Sequence, residues 1–244
     1  MSSFFPRAYM FTSGDVAGLV LVYAYVSLVI SLAAWVRKCR PDFDYRKLIH
    51  ILVGNIVFIW WVFDDRWTMG LLAALPFVFL LLMMTPMSPI KRFSGSFLDE
   101  ATGQGHGYGL VYYAVSWTIL AIALFDDRMV GGIAIAAMSF GDGIGGLLGK
   151  RYGRKKLYRN KSYIGTMSVF LGTTLSALAI MAFYTYLGGY LPQLGVPDMT
   201  LMMAVAVATL AGVFVAILEL FSPGEYDNLI VPLGTAALLL LVGL

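Results

Sequence analysis

The chain has 244 residues, of which 59% are hydrophobic and only 13% are charged. A soluble domain keeps about a quarter of its residues charged, so this composition excludes an ordinary soluble protein and requires lipid around the exterior. The net charge of +3 is only a mild basic bias, and no nucleic-acid partner is predicted. The single cysteine, Cys39, excludes an intramolecular disulfide and a cysteine-based metal site.

Apolar runs recur along the whole chain at the length of about 20 residues that a membrane-spanning helix needs. They predict an all-α, polytopic transmembrane helix bundle of about eight spans, or seven if the last run is re-entrant. The loops between them are too short for a soluble domain, so residues 1–244 form one integral membrane domain. The runs are 16–36, 48–63, 68–85, 107–125, 129–149, 163–187, 199–220 and 228–244.

Basic residues fall on alternate loops. Of the 17 Lys and Arg residues, 14 lie in the first, third and fifth loops, against Arg7, Arg66 and Arg128 on the other side. The positive-inside rule therefore places the odd-numbered loops in the cytoplasm and both termini on the outer side of a cell membrane. The fourteen are Arg37, Lys38, Arg40, Arg46, Lys47, Lys91, Arg92 and seven residues from Lys150 to Lys161.

Ionisable residues inside spans are the first candidates for function, because charge is costly in lipid. Arg46 and His50 enter the second span four residues apart and so face the same side. Anchoring at the lipid headgroups also explains Arg46 and Lys47, but it does not explain a histidine that faces inward. Asp142 lies inside the fifth span, about 12 Å below Lys150, so its carboxylate needs a cationic partner.

Glycines surround Asp142. Gly141, Gly145 and Gly149 form a small-residue stripe that favours helix packing, and these glycines alternatively let a backbone approach phosphate. The match of residues 141–146 to a dinucleotide fingerprint is rejected, because no strand of a βαβ unit precedes it. A phosphate-binding P-loop is also excluded, because the spacing differs and neither Ser nor Thr follows Lys150.

The basic loop after the fifth span ends at Lys161-Ser162, where the sixth helix begins. Much of its charge is explained by attraction to anionic lipid. A helix N-terminus also offers free N–H groups that suit phosphate, and Lys161 adds a point charge there.

Carboxylates mark the ends of the last two spans. Glu219 closes the seventh span, where a carboxylate opposes the helix dipole and so requires a cationic partner. Asp227 and Asn228 open the eighth, where either also serves as an ordinary helix cap.

These four groups all lie at the cytoplasmic face of the membrane in the predicted topology, which places the active site there. Hard cations prefer oxygen ligands, and Mg²⁺ commonly combines one or two carboxylates with substrate phosphates. Phosphoryl transfer needs mainly such positioning and charge neutralisation, with a carboxylate or histidine to take the proton from an attacking hydroxyl. The second substrate would enter sideways from the bilayer.

The motifs resemble those of the polyprenol kinase family, which includes dolichol, phytol and CTP-dependent diacylglycerol kinases. They appear in the family's order between residues 46 and 232. The matching segments are Arg46-Lys47-x-x-His50, Gly141-Asp142-Gly143 through Gly149-Lys150, Lys161-Ser162-x-x-Gly165-Thr166, Glu219, and Asp227-Asn228-Leu229 with Pro232.

This resemblance implies a multi-pass kinase that transfers the γ-phosphoryl group of CTP to a lipid alcohol with Mg²⁺ or another divalent ion. The chain lacks the extra membrane region of eukaryotic dolichol kinases, so the resemblance does not identify which alcohol is the substrate. The alternatives are diacylglycerol kinase, a cytidylyltransferase acting on a lipid phosphate, and a transporter. The implied roles are catalytic for Asp142, His50 and Arg46; phosphate-binding for Lys161, Ser162, Gly141, Gly143, Lys150 and Gly165; and metal-binding for Asp142, Glu219, Asp227 and Asn228.

Overall fold

The computed structural model describes residues 11–40, 43–84 and 108–244. In these ranges the chain forms eight apolar helical segments, each at one of the predicted apolar runs, and two short 3-10 turns at Pro192–Leu194 and Gly224–Tyr226. The all-α class is therefore confirmed. The segments are α1 (Ser13–Cys39), α2 (Tyr45–Val62), α3 (Thr68–Met83), α4 (Gly109–Ala123), α5 (Arg128–Tyr152), α6 (Tyr163–Tyr190), α7 (Leu201–Phe221) and α8 (Asp227–Leu241).

Five of the described segments, α1, α2, α5, α6 and α7, are long and apolar enough to cross a membrane. Segments α3 and α4 are shorter apolar helices, and α8 has 15 residues. The protein is thus an all-α membrane protein, while the count of eight spans and the outward termini stay predictions. Arg7, Lys91 and Arg92, which contribute to the charge alternation, lie outside the described residues.

Side-chain caps fix where several helices begin. Thr12 and Asp15 form a reciprocal capping box at α1, and Asp44 accepts the Lys47 backbone N–H at α2. Ser162 accepts the Gly165 N–H at 3.1 Å, which confirms that a helix begins at the end of the basic loop.

Helix α5 is the centre of the bundle. In the most apolar 18-residue stretch of α5, 78% of the residues are buried, whereas the corresponding share is 28% in α1, α6 and α7. The outer faces of these three helices are apolar and exposed. Within α5 the α-helical ladder gives way to a π-helical turn over Ala137–Asp142. Such turns are frequent at functional sites, and this one ends at the intramembrane aspartate.

The basic loop contains a small antiparallel hairpin, which the sequence did not predict. Its strands are β1 (Lys156–Tyr158) and β2 (Lys161–Ser162), and Tyr158 pairs with Lys161. Arg159 in the turn has φ 47°, the left-handed conformation that a tight reversal requires. The hairpin holds Lys161 directly at the start of α6.

The two ends of the bundle differ in their polar contacts. At one end the Thr12 hydroxyl donates to Asp64 and the Asp64 N–H donates to Asp15, so the start of α1 meets the α2–α3 turn. The opposite end carries the starts of α2, α4, α6 and α8 and the ends of α5 and α7, where the predicted site residues lie.

Candidate active site

A polar cavity of about 570 Å³ opens at this second end of the bundle. It collects residues from all four sequence groups, which confirms that they share one face. The predicted site residues that line it are Arg46, His50, Asp142, Lys150, Lys161, Ser162, Gly165, Glu219, Asp227 and Asn228.

Asp142 has the cationic partner that its depth required. Lys47 Nζ donates to Asp142 Oδ2 at 2.6 Å, and His50 Nε2 lies 3.8 Å from the same oxygen. The Asp142 side chain is 6% exposed, so the lysine compensates a nearly buried carboxylate. The sequence indicates a headgroup anchor at Lys47 and does not predict this pairing. Its position three residues before His50, on the same helix face, is the signal that would have found it.

His50 is held by contacts on two sides. Its Nε2 lies 3.0 Å from the Met138 carbonyl oxygen, within the π-helical turn. A carbonyl only accepts, so Nε2 carries the hydrogen and Nδ1 is the nitrogen that can accept a proton. The Tyr113 ring packs against the imidazole, with centroids 4.3 Å apart.

Tyr113 ties α2, α4 and α5 together behind the histidine. Its hydroxyl donates to the His50 carbonyl at 3.0 Å and accepts from the Ser139 hydroxyl at 2.9 Å. Sequence reasoning missed both Tyr113 and Ser139, because neither residue carries charge.

We expect Tyr113→Phe to destabilise the protein, because Ser139 loses its acceptor in a buried site. The expected cost is about 1–3 kcal/mol, measured as a lower melting temperature in detergent. Tyr186→Phe is the matched control, since Tyr186 is exposed and contacts the Tyr190 ring. Equal melting temperatures for the two variants would contradict the role assigned to this hydroxyl.

Lys161 is the cationic partner that Glu219 required. Its Nζ forms an ion pair with Glu219 Oε1 and lies 3.9 Å from Asp227 Oδ2. Burial lowers the pKa of Lys161, but the carboxylates of Glu219 and Asp142 outweigh burial and raise it. The lysine is therefore a fixed positive charge in the cavity at neutral pH.

The glycines divide into two sets. Gly145, Gly146, Gly149 and Gly165 line the cavity. A Cβ at Gly146 would lie 2.9 Å from Lys47 Cε, and one at Gly149 would lie 3.1 Å from Gly165 Cα. These glycines therefore make room for Lys47 and let α5 approach the N-terminus of α6.

Gly141 and Gly143, predicted to bind phosphate, are not among the residues that line the cavity. A Cβ at Gly141 would collide with the Thr173 hydroxyl, and one at Gly143 with the Ile51 side chain. The structure therefore places both in helix packing. Lys150 lies at the rim, 77% exposed and 3.6 Å from Asp44.

Two buried oxygens in the cavity suit a hard cation. Glu219 Oε2 and Asn228 Oδ1 have no hydrogen-bond partner among the described residues. No group of three His, Cys, Asp or Glu side chains in the described ranges is close enough to form a metal cage. The donor set therefore fits an ion that takes its remaining ligands from water or substrate, as Mg²⁺ commonly does.

The chain is similar to known isoprenoid-alcohol kinases. It is 32% identical over 227 residues to phytol kinase of Synechocystis sp., a match that covers 88% of this chain and 87% of that relative. It is 28% identical to phytol kinase 1, chloroplastic, and 27% identical to farnesol kinase, chloroplastic, both of Arabidopsis thaliana. These two matches cover 78% and 74% of this chain and 63% of each relative, so the chain spans less than two thirds of the Arabidopsis proteins. No protein-family model matches, and no solved structure matches.

Proposed function

The chain belongs to the polyprenol and phytol kinase family, and on that premise we propose that it transfers the γ-phosphoryl group of CTP to an isoprenoid alcohol. The observation that carries the proposal is the presence of two lysine–carboxylate pairs with buried carboxylates in one polar cavity, Lys47–Asp142 and Lys161–Glu219. The relatives named phytol kinase and farnesol kinase support an isoprenoid acceptor. CTP as donor rests on the resemblance of the motifs.

The nucleotide phosphates would lie between Lys161, the N-terminus of α6 and Lys47. Lysines neutralise phosphate charge, and backbone N–H groups at a helix start donate hydrogen bonds to anionic oxygens. The cavity's cationic rim, with Lys150, Lys156 and Arg159, would draw a polyanion inward.

The alcohol hydroxyl would lie beside His50 and Asp142. Its oxygen attacks the γ-phosphorus, the bond from that phosphorus to the β–γ bridging oxygen breaks, and a nucleoside diphosphate leaves. Asp142 and His50, which both line the cavity, are the two groups that would take the hydroxyl proton. Arg46, which also lines the cavity, adds positive charge near the transferred group.

A divalent ion, Mg²⁺, would be held by one or two of the side chains of Asp142, Glu219, Asp227 and Asn228, since no three acidic groups among the described residues lie close enough together, and by the phosphates. It would neutralise charge that develops on the transferred and leaving oxygens. The Glu219 and Asn228 oxygens that lack a hydrogen-bond partner within the described part of the chain support this assignment.

The site would face the cytoplasm in a cell membrane. The described basic residues at the cavity end support this orientation, because positive loops stay on the cytoplasmic side.

The proposal is tested with purified protein and γ-labelled CTP or ATP, against phytol, geranylgeraniol, a long polyprenol and diacylglycerol. We expect label to pass from CTP to an isoprenoid alcohol, with release of CDP and dependence on Mg²⁺. Pyrophosphate release would instead identify a cytidylyltransferase. Absence of transfer to every isoprenoid alcohol would overturn the proposal.

A further inference from the structure

An apolar cavity of about 90 Å³ lies next to the polar one, between α1, α2, α3 and α4. Along α4 its lining extends from Leu110 to Trp117, two helical turns or about 10 Å. A narrow space of this length fits a single hydrocarbon chain. Apart from His50 and Tyr113, its lining is aliphatic, aromatic or thioether side chains.

The two cavities meet at His50. Both His50 and Leu110 line the polar cavity and the apolar one. The residue proposed to face the attacking hydroxyl therefore stands at the entrance of a hydrocarbon-lined space. An alcohol with its oxygen at this junction would place its first carbons directly in the apolar cavity.

The apolar cavity has a closed end and an open side. Val22, Met69 and Trp117 are buried at the closed end. On the other side Leu80 is exposed and Ile30 is half-buried, so α1 and α3 leave an opening towards the lipid. A chain longer than the cavity can leave through this opening into the bilayer.

We propose that this cavity binds the hydroxyl-proximal isoprene units of the acceptor, as a single chain, and that the remaining tail passes between α1 and α3 into the membrane. The inference rests on the proposed function. It assigns selectivity to the part of the alcohol next to the hydroxyl, while the length of the distal tail has little effect. A diacylglycerol, which has two chains beside its hydroxyl, does not fit.

Ala114→Leu tests the inference, because Ala114 is buried in α4 and lines the cavity. The added carbons fill the space, so we expect the KM for phytol to rise about tenfold. The KM for the nucleotide should not change. Ala123→Leu is the matched control, because Ala123 is exposed at the end of the same helix and does not line the cavity.

A second measurement uses the wild-type protein alone. A phytol analogue with a diazirine near its hydroxyl should crosslink to residues of α1–α4 that line the cavity, in competition with phytol. Crosslinks on the outer faces of α6 and α7, or competition by diacylglycerol instead of phytol, would overturn the inference.

The two proposals fail in different ways. If the wild-type protein phosphorylates no isoprenoid alcohol, the proposed function is wrong. If it phosphorylates phytol while Ala114→Leu keeps the wild-type KM for phytol, only the assignment of this cavity is wrong.

Discussion

Replacing Asp142 with asparagine will lower the rate of phosphoryl transfer by about 10³-fold while the protein still folds. Asparagine keeps the size of the side chain but removes the charge that pairs with Lys47 and faces His50. The variant therefore loses a proton acceptor and a metal ligand at once. The measurement is initial rate with labelled CTP and phytol, beside the melting temperature in detergent.

Asp44→Asn is the matched control for this variant. Asp44 lies at the same end of the bundle and is 3.6 Å from the exposed Lys150, and asparagine retains its capping role at α2. We expect a rate close to wild type. If Asp142→Asn also transfers phosphate at nearly the wild-type rate, Asp142 has no part in the reaction.

Titration with Mg²⁺ separates the two roles of Asp142. If Asp142 is a metal ligand, its loss raises the Mg²⁺ concentration needed for the half-maximal rate, and excess Mg²⁺ recovers part of the rate. A lost proton acceptor lowers the rate at every Mg²⁺ concentration.

The helices were predictable because each needs only a local signal. An apolar run of about 20 residues predicts a membrane-spanning helix by its length alone, independently of the segments that pack against it. The π-helical turn at Ala137–Asp142 and the hairpin at β1 and β2 gave no such signal. Both depend on how the chain packs: the turn places the Met138 carbonyl against His50, and the hairpin places Lys161 against Glu219.

The sequence identified the charged residues of the site from the free-energy cost of charge in lipid, but it did not show which residues form ion pairs. The depth of Asp142 within its span and the position of Glu219 at a helix C-terminus indicated that each carboxylate needs a cation. Which cation it is depends on helix rotation, and Lys47 and Asp142 are 95 residues apart in the chain. The apolar cavity gave no signal, because its lining side chains are of the same kinds as those that face lipid.

Replacing Lys161 with methionine will raise the KM for the nucleotide by about 100-fold, equivalent to about 2.7 kcal/mol. Methionine keeps most of the side-chain length and removes the positive charge that contacts Glu219 and lies near Asp227. Without Lys161, the carboxylates of Glu219 and Asp227 remain in the cavity and repel an incoming polyphosphate. Lys155→Met is the control, because Lys155 lies in the same basic loop but packs over the Tyr163 ring outside the cavity.

Loss of activity in Lys161→Met has a structural explanation that must be separated from the proposed one. Breaking a mostly buried ion pair leaves Glu219 uncompensated, which costs about 3–5 kcal/mol for a fully buried pair and less here because Lys161 is 32% exposed. The double variant Lys161→Met with Glu219→Gln removes both charges and should recover most of the melting temperature. Its nucleotide KM should remain high, because the phosphates still lack their cation. If the double variant recovers the wild-type KM along with stability, Lys161 serves only to neutralise Glu219 and the phosphates bind elsewhere.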